Sequence, residues 1–309
     1  MESQDLFTED IHNLEFWEED LYVHKDLKER VKTVADGTWK WCSFLDVNRE
    51  GWQSNIFRAK LGDKKIATKL FLDGRHIEEY KTMIKLLPES PFFLKPFAQT
   101  NGLNPFLIFD WVDGNLSDLI ADHISLKKLL PEHEDYPFRL ELCEQIASGL
   151  QALHKVGIKH ENLHYRNVLF KIVPPKDPKK HEYDYQMLIA DCNPHHREKF
   201  WVVTQRTDKY FARSKYPLFT LSDRDDIWSF GIICYQICGM IFHVPEITRS
   251  YSPDVWNGTL TSINVSFGNV FLRPKEKELF KSCLGYKKNR PTSTELVKKI
   301  NDLSSLFMK

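Results

Sequence analysis

Residues 157–170, GIKHENLHYRNVLF, decide how this chain is to be read. They follow a helical pattern over 138–156 that closes on Leu153 and His154, and they precede a strand-like run. Working outward, residues 116–130, 225–242, 274–284 and 293–307 repeat apolar residues at helical spacing. Before Asp113-Gly114 the character differs. Short aromatic and β-branched runs, WKWCSFLDV, NIFRAKL and KKIATKLF, alternate with polar turns, and Gly62-Asp63 predicts a hairpin. One helix, over 75–87, interrupts them before further strand-like runs at 92–97 and 106–111. The expected fold is α+β and bilobal: a small antiparallel sheet with one helix (about 39–110), then a larger, mainly α lobe (about 114–307).

The flanking segments are less regular. Residues 8–35 place Leu14, Trp17, Leu21, Leu27, Val31 and Val34 at near-helical spacing among charges, which predicts an amphipathic extension over 1–38. It reads as a helix packed on its own domain, a helix for a partner, or a disordered leader. Residues 173–185, VPPKDPKKHEYDY, combine three prolines with dense charge and read as a solvated loop or hairpin tip.

The 309 residues, 42% of them apolar, suffice for a sizeable core. Lysine plus arginine and aspartate plus glutamate both number 43, so no overall field draws the chain to nucleic acid or an anionic membrane. The N-terminus, MESQDLFTED, is acidic, and no apolar run approaches the ~20 residues of a membrane span. Cys42, Cys143, Cys192, Cys234, Cys238 and Cys283 are scattered without metal-ligand spacing, which points to a reducing, cytoplasmic setting. Cys234 and Cys238, four apart in an apolar helix, read as small core residues.

The 157–170 loop resembles the catalytic loop of protein kinases, H-R-D-L-x-x-x-N, whose aspartate accepts the substrate hydroxyl proton and whose asparagine holds a metal ion. His160, Leu163 and Asn167 match. Glu161 stands in place of the arginine and Asn162 in place of the catalytic aspartate. Other kinase signatures follow in order. Ile66-Ala67-Thr68-Lys69 resembles the V-A-I-K strand, with Glu79, or alternatively Glu78, as the ion-pair partner of Lys69 and Met83 and Leu86 on the same helix face. Residues 106–116 resemble the hinge, with Phe109 at the gatekeeper place and Asp110 opening the linker. Asp191 keeps the metal-binding aspartate of D-F-G, Asp226-Ile-Trp-Ser-Phe-Gly231 resembles D-x-W-S-x-G, and Arg290-Pro-Thr292 resembles R-P-T. Tyr165-Arg166-Asn167 and Lys209-Tyr210-Phe211-Ala212 are similar to segments of tyrosine kinases, favouring the tyrosine-kinase or tyrosine-kinase-like branch. The triplet His160-Glu161-Asn162 is similar to the H-G-N of Janus-kinase pseudokinase domains.

The departures carry the functional expectation. An amide cannot accept a proton as a carboxylate does, and general-base assistance contributes about 3–5 kcal/mol of barrier lowering. An arginine at the place of Glu161 commonly pairs with a phosphorylated activation segment, which an anion would repel. In the D-F-G place Cys192 and Asn193 replace phenylalanine and glycine, and the cysteine buries about 1–2 kcal/mol less apolar area. The glycines of the phosphate-covering loop fall on Glu50, Trp52 and Asn55, leaving Gly51 offset, while Phe57 crowds the adenine place. The A-P-E segment matches Ala212-Arg213-Ser214, so the glutamate that pairs with the arginine of R-P-T is absent and Arg290 needs another partner. Thr204, Thr207 and Tyr210 in that region read as ordinary solvated or packed residues, phosphorylation being the alternative.

The resemblance therefore implies a pseudokinase acting as scaffold or allosteric regulator in signalling, with a protein partner, another kinase among the candidates. Weak Mg²⁺ and ATP binding would run through Lys69, Glu79, Asp110, Asn167 and Asp191, with Asn167 and Asp191 as metal ligands and His160 and Asn162 at the degraded catalytic positions. The alternative is an active, ATP-dependent kinase of low or unconventional activity.

Overall fold

The computed structural model describes residues 14–16, 54–61, 63–71, 74–99, 106–126, 136–176, 184–192, 222–241, 245–251, 260–268 and 272–306. Two compact units emerge, one within Met1–Leu86 and Leu94–Asp113, the other within Leu87–Phe93, Gly114–His196 and Val203–Lys309.

The first unit is a five-stranded antiparallel sheet in the order β1-β2-β3-β5-β4, built from β1 (Leu14–Phe16), β2 (Ser54–Leu61), β3 (Lys64–Phe71), β4 (Pro96–Gln99) and β5 (Phe106–Asp110). Leu61 pairs with Lys64, which puts the hairpin where Gly62-Asp63 was expected to turn. Helix α1 (Gly74–Leu86) turns Ile77 and Tyr80 onto Leu107, Phe109, Ala67 and Leu94, an i, i+3 pair that gives the sheet its covered face. Two expectations fail here. Leu14–Phe16 is a strand, not a turn of helix, and it pairs with the end of β2, Leu14 opposite Leu61. The rest of the 1–38 extension lies outside the described residues. Leu86, expected beside Met83, is 59% exposed while Met83 is buried.

The second unit opens with β6 (Gly114–Asn115), which joins β7 (Val168–Val173) and β8 (Asp184–Ile189) in a three-stranded sheet. Its helices are α2 (Leu116–Leu126), α3 (Tyr136–Lys155), α4 (Asp223–Gly239), α5 (Pro274–Cys283) and α6 (Ser293–Ser304). α4 is buried at every position from Asp226 to Cys238, as befits a central helix that is apolar all round. α3 packs on α4, α6 and β8, and α5 lies against α4. Closeness is obligatory at Gly231, where a Cβ would fall 2.7 Å from that of Cys283. Cys143, Cys192, Cys234, Cys238 and Cys283 are buried and free, so those of α4 are core residues as read.

A further hairpin, β9 (Glu246–Tyr251) with β10 (Leu260–Ser266), lies in the lobe expected to be mainly helical. Residues 168–173 and 184–189 pair Val173 with Asp184, so the proline-rich stretch between them connects a hairpin.

Glu276 in the first turn of α5 is 2% exposed; its Oε2 accepts the Arg273 N–H at 2.7 Å, while Oε1 meets no partner among the described residues. Burial pushes its carboxyl up to about 7, outweighing that hydrogen bond. The folded chain thus binds a proton between pH 4.5 and 7 that the unfolded chain releases, and stability falls as pH rises through this window. Glu276→Gln should therefore be more stable than the natural chain above pH 7, by about 2–3 kcal/mol, and equal to it below pH ~4.5. Urea denaturation at both ends of the range checks this.

Candidate functional site

Helix α3 ends by a left-handed step at Gly157, φ 75°, with the Ile158 N–H returning to Leu153 O at 3.1 Å. The chain then runs over the first turn of α4. There Asp226, 2% exposed, accepts the His160 N–H (2.8 Å) on Oδ2 and the Glu161 N–H (2.9 Å) on Oδ1, and Oδ2 also takes the His154 Nε2–H at 2.9 Å. Presenting two successive amides to one carboxylate bends the backbone, and Glu161 sits at φ 60°, a conformation that costs a non-glycine residue about 1–2 kcal/mol. Its side chain is buried.

Hydrogen bonds fix the tautomer of His160. Nδ1 accepts the Asn162 N–H at 3.2 Å, so the proton sits on Nε2 and is donated to Ala190 O at 3.0 Å. Burial holds this imidazole below its ordinary pKa, against the attraction of Asp226. Asn162 places its backbone, not its side chain, in the frame: its carbonyl accepts the Asn167 Nδ2–H at 2.9 Å. Asn167 is buried, its N–H bonds His164 O, and its carbonyl receives the Ala190 N–H, both at 2.9 Å.

The β7–β8 register, Val168 opposite Ile189, brings Asn167 and Asp191 to the same end of one hairpin. Asp191 is the second non-glycine residue of this region in the left-handed conformation, at φ 57°. With Nδ2 of Asn167 committed to Asn162, its Oδ1 is the end that can face a cation. An amide oxygen and a carboxylate suit magnesium, which takes one or two protein oxygens and fills its shell with water and phosphate. They do not make a self-sufficient metal cage, and among the described residues no three His, Cys, Asp or Glu side chains do. Cys192, next in line, is buried with its thiol on Lys159 O at 3.4 Å.

His164 went unnoticed in the sequence. Its Nδ1 accepts the Arg166 N–H at 3.2 Å, and burial, helped by His160, lowers its pKa to about 4. The lone pair a base would need is thus engaged. Among the described residues no imidazole with a free lone pair takes the place of a carboxylate at Asn162. His154 was equally silent, because a histidine at a helix end ordinarily reads as a cap.

In the first unit Lys69 is buried on β3, its Nζ 4.5 Å from the ring centroid of Tyr80. Glu79 lies on α1, and its side chain is outside the described residues. Glu78 is exposed and pairs with Lys81 at 2.9 Å. Phe109 packs in the core beside Tyr80. The Asp110 carboxylate pairs with Lys64 at 2.7 Å, both side chains being well exposed. Glu50, Gly51, Trp52, Asn193, Thr204, Thr207, Tyr210 and Ala212-Arg213-Ser214 lie outside the described residues.

A family model described as protein tyrosine and serine/threonine kinase matches residues 73–300. The chain belongs to the protein kinase family. Among curated kinases, a probable myosin light chain kinase of Dictyostelium discoideum is 27% identical over 236 residues, 73% of this chain and 67% of that protein. The serine/threonine-protein kinase ULK3 of Homo sapiens is 27% identical over 192 residues, 61% of this chain and 37% of that one. The leaf rust 10 disease-resistance locus receptor-like protein kinase-like 1.3 of Arabidopsis thaliana is 22% identical over 200 residues, 61% of this chain. The match spans only 27% of that receptor-like kinase. As a kinase-family domain, the chain holds the 157–170 loop on Asp226, with Asn167 and Asp191, the residues expected to hold a metal, at the end of the hairpin beside it.

Replacing Asp226 by asparagine turns an NH₂ toward groups that are themselves donors. Asp226→Asn should cost about 3–5 kcal/mol of unfolding free energy, measured by urea denaturation. A loss under ~1 kcal/mol would show that the loop is held by other contacts.

Proposed function

We propose that this chain is a pseudokinase, a kinase-family domain that acts as a scaffold or allosteric partner in intracellular signalling and does not turn over ATP. Asn162 carries the reading. It occupies the catalytic-aspartate place in a loop otherwise held in order, and among the described residues a nearby imidazole, His164, has its Nδ1 lone pair engaged. What is missing is a base worth about 10²–10⁴-fold in rate, not a fold.

Lys69, Asn167 and Asp191 support weak retention of Mg-ATP, the lysine toward phosphate and the other two toward magnesium. Bound magnesium supplies neutralisation of phosphate charge. The protein's part is to aim the asparagine oxygen, through the Asn167–Asn162 hydrogen bond, and to hold Asp191 in its left-handed turn. The same trio favours the second reading, slow phosphotransfer, because phosphoryl transfer rests mainly on positioning and charge. Tyr165-Arg166-Asn167 supports placement in the tyrosine-kinase-like branch. The partner implied is a protein, and a kinase-family domain suits another kinase. Among the described residues no helix is long and apolar enough to cross a membrane.

Transfer of labelled γ-phosphate to a peptide mixture and to the chain itself tests the proposal. The natural chain should match the Asp191→Ala background, and activity that Asp191→Ala abolishes would overturn the reading. In parallel, millimolar Mg-ATP should raise the Tm of the natural chain and not that of Asp191→Ala, the stabilisation following RT ln(1 + [L]/Kd). No shift would remove nucleotide from the account and leave a scaffold alone.

A further inference from the structure

Lys69 stands on β3 opposite Ile56 and Leu107 and is 5% exposed, so its ammonium is largely removed from water and its charge has to be met by what surrounds it. Part of that surrounding is an aromatic face. The Lys69 Nζ lies 4.5 Å from the ring centroid of Tyr80, inside the ~6 Å range of a cation–π contact. The ring is itself held. Tyr80 follows Ile77 by three residues on α1 and packs with it on Leu107 and Phe109, and the Phe109 ring meets it edge to face at 6.5 Å and 73°. The register sets Ala67 opposite Phe109 and Lys69 opposite Leu107, so the strand that carries the lysine and the strand that fixes the ring are neighbours in one sheet.

We propose that Tyr80 is the positioning residue of Lys69: its ring holds the ammonium in place for an anionic oxygen, the phosphate of a nucleotide in the reading of weak Mg-ATP retention. The inference rests on that reading for the identity of the anion. A ring face attracts the cation through its quadrupole and is not a lone-pair acceptor, so this contact coexists with hydrogen bonds from the same ammonium to oxygens. A lysine tail is long and rich in rotamers, and a contact that already fixes it lowers the ordering cost that an arriving phosphate would otherwise meet. The attraction comes from the ring and not from the phenol oxygen, so a phenylalanine should serve in its place.

Two measurements on the full-length chain test this. In NMR spectra of ¹³C-lysine-labelled protein, with the signal assigned by its loss in Lys69→Arg, the ε-methylene protons of Lys69 should lie upfield of the ordinary lysine position through the ring current of Tyr80. They should stay there in Tyr80→Phe and return to the ordinary position in Tyr80→Leu. In a thermal-shift titration, Tyr80→Leu should bind Mg-ATP about tenfold more weakly than the natural chain, the scale of one desolvated cation–ring contact, with the conservative Tyr80→Phe restoring the affinity. An ordinary Lys69 signal in the natural chain would overturn the proposal, as would Mg-ATP binding that Tyr80→Leu leaves unchanged. Should Tyr80→Leu fail to fold, the spectra of the natural chain and of Tyr80→Phe decide. A natural chain that does not respond to Mg-ATP while its Lys69 signal lies upfield, in Tyr80→Phe as well, would remove the nucleotide and leave Tyr80 as the residue that positions Lys69.

Discussion

Two backbone N–H groups, those of His160 and Glu161, and the imidazole of His154 converge on one buried carboxylate, Asp226. The rest of the loop follows from that convergence. It sets the left-handed turn at Glu161, aims the His160 ring at Ala190, and so spaces the carbonyl of Asn162 to receive the side chain of Asn167. Each link is a hydrogen bond between groups removed from water, where an unmet donor costs about 1–3 kcal/mol. Such a chain is held or lost as a unit.

Framing and chemistry separate at a single residue. Asn162 contributes to the frame through its N–H and C=O, which any amino acid supplies, and to catalysis only through its side chain. On the proposed reading, the amide at the place of a carboxylate leaves the architecture intact while removing the proton acceptor. Glu161 behaves in the same way: its amide is part of the brace, whatever its side chain does. The proposed scaffold role is compatible with this, since a side chain can change here without a change of shape.

Most of this was legible because the fold writes itself in periodicity. The β2–β3 hairpin, α1, and the helices α3 to α6 lie within a few residues of where apolar spacing put them, while Asn167 and Asp191, given by the resemblance to kinases, come to one end of one hairpin. The failures have physical causes. Three residues at 14–16 form a strand because pairing with β2 satisfies their backbone, whatever helical spacing their surroundings suggest. The β9–β10 hairpin has the β-branched residues Ile247, Thr248, Thr261, Ile263 and Val265 as its signal, and it was passed over in a lobe expected to be helical. The pairing of Asp110 with Lys64, 46 positions away, follows from the β3–β5 register, which sets Ile66 opposite Asp110, and spacing along the chain does not show it. Asp225 as a partner of Arg290 depends on a contact spanning 65 residues, which spacing along one helix cannot reveal.

Native-state amide hydrogen exchange at His160 and Glu161, followed by NMR, bears most directly on the claim that the loop is framed independently of the side chain at Asn162. Both amides should exchange only through global unfolding, with protection close to the stability of the second unit and unchanged in Asn162→Asp. Fast exchange at either amide, or protection that depends on the residue at 162, would contradict the account.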